Sequence, residues 1–69
     1  MTNKEKVFYL REKYGASVCT CAQFIRNNPN FENLDSKTVK LTLGYIDWLK
    51  TFLDGDRSFE RYLKEIGEH

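Results

Sequence analysis

The stretch SKTVKLTLGYIDWLKTFL, residues 36 to 53, decides the fold because its apolar residues form two separate stripes when it is wound as a helix. At about 100° per residue, one side carries five aliphatic residues, Val39, Leu43, Ile46, Leu49 and Leu53. The almost opposite side carries Leu41, Tyr45, Trp48 and Phe52. A helix that is apolar on two sides either lies between neighbouring helices or presents one side to a partner. The interpretation we favour is a long central helix with neighbours on both sides.

Three further helices are predicted around it from capping residues and glycines. The first runs from about Asn3, as its cap, to Tyr14, with Gly15 at the C-terminal position that favours glycine. Ser17 caps a second helix that continues to about Asn27, before the turn at Pro29. Asp35 or Ser36 caps the long helix, which runs to Leu53 and is closed by Asp54 and Gly55. Asp56 or Ser58 opens the last helix, which ends at Gly67.

Periodicity also predicts which side chains are buried. In the second helix the spacing i, i+3, i+4, i+7 places Val18, Cys21, Ala22 and Ile25 on one apolar face. We expect Phe31 and Leu34, in the loop that follows, to fill the core. The last helix has an apolar face made of Phe59, Tyr62, Leu63 and Ile66, and we expect it to dock on the stripe that contains Trp48.

The composition indicates one folded domain, residues 1–69, of the all-α class: a compact bundle of four to five short helices around a long central helix at about 36–53. Forty-one per cent of the residues are hydrophobic and only one is proline, which is typical of an ordered domain. No stretch is long and apolar enough for a signal sequence or a membrane span, so we expect a cytoplasmic protein.

Charge is nearly balanced, with 11 Lys and Arg against 10 Asp and Glu. Residues 1–40 carry seven basic and four acidic side chains, about +3, whereas residues 41–69 carry four and six, about −2. A net charge of +1 provides no general field for attracting nucleic acid. The asymmetry gives the first half a mildly basic character.

The two cysteines do not predict a metal or redox site. On a helix, Cys19 and Cys21 point about 200° apart, so they reach neither each other nor a shared metal ion. Cys21 lies on the apolar face as a small hydrophobic residue, and Cys19 lies off it. The only other metal-ligating side chain of the usual zinc set is His69. With no glycine-rich phosphate loop either, we expect no enzyme activity, no cofactor, no metal and no small-molecule substrate.

Several segments resemble the YozE family of small bacterial proteins. They are VFYLREKY at 7–14, AQFI at 22–25, NPNF at 28–31, GYI at 44–46 and SFERYL at 58–63. The family fold is similar to the helical sterile alpha motif. The resemblance implies a compact helical bundle without known catalytic residues, in which binding of protein or of nucleic acid is the open choice.

Two functional hypotheses follow. In the first, the chain is a small cytosolic adaptor or regulator of bacterial or phage type that binds another protein through exposed aromatic residues, namely Tyr9, Phe24, Tyr45, Trp48, Phe52 and Tyr62. The alternative is a DNA-binding regulator related to the helix-turn-helix, which uses Lys37, Thr38 and Lys40 near the start of the long helix with Arg26 on phosphate. Monomer and homodimer both remain open.

Overall fold

A computed structural model describes residues 1–52 and 54–68 of the chain. Within these residues the protein is all-helical, with four α-helices and one 3₁₀ turn and no β-strand. The helices are α1 (Asn3–Tyr14), α2 (Val18–Asn27), α3 (Ser36–Thr51) and α4 (Phe59–Ile66), and the 3₁₀ turn is Phe31–Asn33. This confirms the all-α class.

Side-chain caps explain where the helices begin. Ser17, Asp35 and Ser58 each accept a hydrogen bond from the backbone N–H three residues ahead, as predicted. The predicted cap of α1 is wrong by one residue, because Thr2 is the cap. The Thr2 hydroxyl accepts from the Glu5 N–H at 3.2 Å and the Glu5 carboxylate accepts from the Thr2 N–H at 3.0 Å, which satisfies two otherwise unpaired donors.

Glycines end two of the helices. Gly15 and Gly67 have φ of 73° and 79°, in the left-handed region that closes a helix and favours glycine. The long helix ends earlier than predicted, at Thr51, because Phe52 adopts an extended conformation. Leu53, predicted to end that helix and its aliphatic stripe, and His69 lie outside the described residues.

The main core lies where α1, α2, the 3₁₀ turn and one side of α3 meet. Its buried members are Leu10, Cys21, Phe24, Ile25, Phe31, Val39, Leu43 and Ile46. The first stripe of α3 is therefore buried as predicted at Val39, Leu43 and Ile46, while Leu49 is half-buried. Phe31 fills the core, whereas the prediction for Leu34 is wrong, because this residue caps the 3₁₀ turn and stays exposed.

The buried face of α2 differs from the predicted one. Cys21 and Ile25 are buried as predicted, but Val18 and Ala22 are exposed, and Thr20 and Phe24 are fully buried. Burial of the polar Thr20 is compensated because its hydroxyl accepts hydrogen bonds from the Ser17 hydroxyl at 2.9 Å and from the Lys50 ammonium at 2.8 Å. A buried hydroxyl with partners avoids the cost of desolvation, and this bond connects α2 to α3.

Helix α4 packs antiparallel to α3. The start of α3 meets the end of α4 at Lys37 and Glu68, whose charged groups are 3.7 Å apart. Further along, the rings of Tyr45 and Phe59 are 5.2 Å apart. Helix α4 thus packs on the second apolar stripe of α3, as predicted.

Candidate functional site

The α3–α4 contact is built from aromatic side chains, which we call the aromatic surface: Tyr45, Trp48, Phe52, Phe59 and Tyr62. The rings of Trp48 and Phe52 stack with centroids 4.3 Å apart and 20° between planes. Tyr45 meets Phe59 edge to face at 90°. These offset-stacked and edge-to-face arrangements are the ones aromatic pairs prefer, so the cluster has a defined geometry.

This cluster is only partly closed to solvent. Tyr45, Trp48 and Phe52 are half-buried, and Phe59 is 38 % exposed. Tyr62, at the back of the cluster, is 8 % exposed. The aromatic surface is therefore packed on its inner side and open on its outer side.

The segment between α3 and α4 folds back onto the cluster through Arg57. The Arg57 guanidinium donates to the carbonyl of Leu49 at 3.1 Å and to that of Phe52, where a cation satisfies the unpaired carbonyls at the end of a helix. The Tyr45 hydroxyl donates to the Arg57 carbonyl at 2.6 Å. Tyr45 is consequently fixed by both its ring and its hydroxyl.

The other two predicted anchors lie elsewhere. Phe24 was expected to be exposed, but it has 0 % exposure in the main core, because α2 is rotated relative to the predicted face. Tyr9 is 41 % exposed on α1, with its ring 6.2 Å from that of Phe31. Neither belongs to the aromatic surface.

The residues of the DNA alternative are divided between two places. Lys37, Thr38 and Lys40 are exposed in the first turns of α3, and the N–H of Thr38 is bound to the Asp35 carboxylate at 2.9 Å. Hydrogen bonding to the Thr38 side chain, and secondly to its backbone N–H, holds the Asp35 pKa below its ordinary value. Arg26 lies at the end of α2 and lines a separate hollow with Lys4 and Pro29.

A groove that periodicity alone does not reveal runs along α3 between α4 and the α1–α2 connection. We call it the α3 groove; its volume is about 780 Å³. Its floor includes Gly44, where a Cβ atom would lie 2.2 Å from the Tyr62 hydroxyl oxygen. Gly44 thereby permits the close approach of α4, as a glycine inside a helix commonly does.

Two features of the aromatic surface were not predicted from the sequence. Phe59 was predicted to dock with Tyr62 on the stripe that contains Trp48, but it was not named as a binding residue, although its spacing of three from Tyr62 is a signal that both belong to one cluster. The role of Arg57 has no local signal, because its partners are carbonyl groups of the preceding helix.

The cysteines are both free, with Cys19 exposed and Cys21 buried, which agrees with their predicted opposite orientation. Burial raises the pKa of the Cys21 thiol, and its Sγ lies 3.9 Å from the Ala16 carbonyl. In residues 1–52 and 54–68, no group of three or more His, Cys, Asp or Glu side chains is placed to hold a metal ion.

No protein-family model matches the chain, and no curated protein or solved structure matches it either. Among the helices in the described part of the chain, none combines the length and the apolar character needed to cross a bilayer.

Proposed function

We propose that this protein is a small non-enzymatic cytosolic adaptor or regulator, of bacterial or phage type, which binds another protein through the aromatic surface. The observation that carries the proposal is the half-open cluster of Tyr45, Trp48, Phe52 and Phe59 on α3 and α4. The resemblance to the YozE family is part of this proposal; it implies a compact helical bundle without known catalytic residues and leaves binding of protein or of nucleic acid as the open choice.

Two physical features of the cluster support this role. Trp and Tyr are the side chains most enriched among residues that dominate binding energy, since they bury a large area at low conformational cost. The cluster is pre-ordered, because Tyr45 is held by Arg57 and Trp48 is stacked on Phe52. A pre-ordered surface loses less conformational entropy when a partner binds. We take α3 as the central helix, whose first stripe forms the core and whose second stripe serves both α4 and the partner.

Photo-crosslinking tests the proposal directly. A photoreactive phenylalanine analogue is placed at Phe59, in the aromatic surface, and in a matched protein at Phe8, which is 47 % exposed on α1. We expect irradiation in the source cells to produce a discrete adduct from position 59, which excess wild-type protein removes by competition, and none from position 8. Equal labelling from both positions, or labelling that is insensitive to competition, would contradict the proposal.

Substitutions then separate binding from folding. Trp48→Ala and Tyr45→Ala are expected to abolish capture of the crosslinked partner while the helical circular-dichroism signal is retained. Phe8→Ala is the control and is expected to leave capture unchanged. Loss of the helical signal in Trp48→Ala and Tyr45→Ala would instead assign both residues to folding.

The DNA alternative rests on the exposure of Lys37, Thr38 and Lys40 on the first turns of α3. A mixed-sequence duplex titrated at low salt and again near physiological salt tests it. If DNA is the partner, Lys37→Ala combined with Lys40→Ala weakens binding and flattens its dependence on salt, because fewer counterions are released. Unchanged affinity removes this alternative.

A further inference from the structure

We infer that the α3 groove is a second binding site, separate from the open side of the aromatic surface, for a short extended segment of a partner protein with an apolar side chain and an acidic group. Tyr62 is 92 % buried, since 8 % of it is exposed, and its oxygen lies over Gly44 in the groove.

This hydroxyl makes no hydrogen bond within residues 1–52 and 54–68. Since no fully buried side-chain nitrogen or oxygen in that part of the chain lacks a partner, the Tyr62 oxygen is not fully buried and is exposed to the groove. Burial, and secondly the negative charge of Asp47, raise the Tyr62 pKa above its ordinary value. The group therefore stays protonated at neutral pH and is available as a hydrogen-bond donor.

The groove has the size and lining of a binding site. Its volume of about 780 Å³ lies within the range of ligand sites, about 300–1,000 Å³. Apolar groups from α1, the α1–α2 connection, α3 and α4 line it: Tyr14, Ala16, Leu41, Leu43 and Ile66. This lining accommodates one apolar side chain beside the Tyr62 hydroxyl.

Charged side chains at the two ends of the groove determine which polar groups of the bound segment it recognises. Lys37 and Lys40 line one end, and Asp47 lies seven residues along α3 from Lys40, which is about 10 Å at 1.5 Å per residue. Glu68 already neutralises Lys37 at 3.7 Å, which leaves this end with a net positive charge. An extended segment of four residues, with three steps of about 3.3 Å between its first and last Cα atoms, spans this length with its acidic group at Lys40 and a donor at Asp47.

The probe is a pool of blocked tetrapeptides, acetyl-Lys-Gly-X-Glu-amide with X as Leu, Ile, Val or Phe, titrated to millimolar concentration into labelled protein. The matched control pool, acetyl-Lys-Gly-X-Lys-amide, replaces only the acidic end. We expect amide shifts in residues 14–17 and 37–47 with the first pool and much smaller shifts with the second. Absence of groove shifts, or equal shifts with both pools, overturns the inference.

Two variants test the named groups. Tyr62→Phe removes one uncharged hydrogen bond to the peptide and is expected to weaken peptide binding about fivefold. Its thermal midpoint is expected to stay the same or to rise, which a purely structural tyrosine would not show. Lys40→Ala is expected to weaken binding about threefold at low salt, whereas Lys64→Ala, the same change outside the groove lining, leaves it unaltered.

The peptide titration tests the groove site separately from the proposed binding through the aromatic surface. Shifts confined to the Trp48 indole and to Phe59 would place the peptide on the aromatic surface and would refute the groove site. Groove shifts with no crosslink at position 59 would support the groove site and contradict the aromatic one. Wild-type affinity in both Tyr62→Phe and Lys40→Ala would refute the roles assigned to these groups.

Discussion

The two sides of α3 are both apolar, yet they have formed different kinds of contact. One side, at Val39, Leu43 and Ile46, is closed by α1 and α2 and is almost free of solvent. The other, at Tyr45 and Trp48, is covered by the eight-residue helix α4 and remains half-open. The difference shows that a helix with two apolar stripes need not be equally buried on both sides, because the length of the neighbouring helix limits how much it covers.

The largest effect on stability is expected from a pair of matched Phe→Ala substitutions, one in the main core and one in the aromatic surface. Phe24→Ala in the main core is expected to cost about 3–5 kcal/mol of the free energy of unfolding, through lost burial and a cavity. Phe59→Ala in the aromatic surface is expected to cost about 1 kcal/mol, the size of an aromatic pair contact. Urea unfolding followed by circular dichroism measures both; similar losses would show that the aromatic surface is as closed as the core.

A smaller effect is expected where α3 and α4 approach most closely. Gly44→Ala gains about 1 kcal/mol of helix propensity, but its Cβ would lie 2.2 Å from the Tyr62 oxygen, and overpacking costs about 1–3 kcal/mol. We expect net destabilisation and a change in the fluorescence of Trp48, the single tryptophan.

Tyr62→Phe is the control for this substitution. It removes the clashing oxygen, so the double variant Gly44→Ala with Tyr62→Phe is expected to recover most of the lost stability. The two changes are then non-additive in a double-mutant cycle. Additive losses would mean that the hydroxyl moves aside freely and that the contact is not tight.

The smallest effect concerns pH and the caps of the helices. Hydrogen bonds to the side chain and, secondly, to the backbone of Thr38 lower the Asp35 pKa, and bonds to Thr2 lower that of Glu5. The folded protein then binds fewer protons than the unfolded chain near pH 4, so this stabilisation is present above the ordinary carboxylate pKa and is lost as pH falls.

Asp35→Asn tests this contribution, because asparagine caps a helix about as well as aspartate but does not titrate in this range. The variant is expected to have a shallower decline of thermal midpoint between about pH 5 and pH 3. An identical decline in both proteins would assign the acid sensitivity to other carboxylates.

Local chemistry accounts for the features that the sequence predicts well. Ser17, Asp35 and Ser58 act within three residues of themselves, so a short window contains the whole signal. The two stripes of α3 likewise follow from spacing within one helix. Even the missed cap was present locally, as the Thr2 and Glu5 pair of a capping box.

Features that depend on distant partners were predicted less well. The buried face of α2 was misplaced because Thr20 is polar, and its burial is compensated by Lys50, thirty residues away. The α3 groove arises from the positions of α4 and the α1–α2 connection relative to α3. No window of sequence specifies those positions, since they result from packing among all four helices.

The way Arg57 holds the end of α3 has a consequence for how the protein opens. Its bonds to Leu49 and Phe52 keep the linking segment attached to α3, whereas the Lys37–Glu68 pair at the far end of α4 is exposed and weak. Opening fluctuations should therefore begin at the C-terminal end of α4 and proceed towards Phe59. In amide hydrogen exchange, the amides of residues 63–67 would lose protection first and those of α2 last.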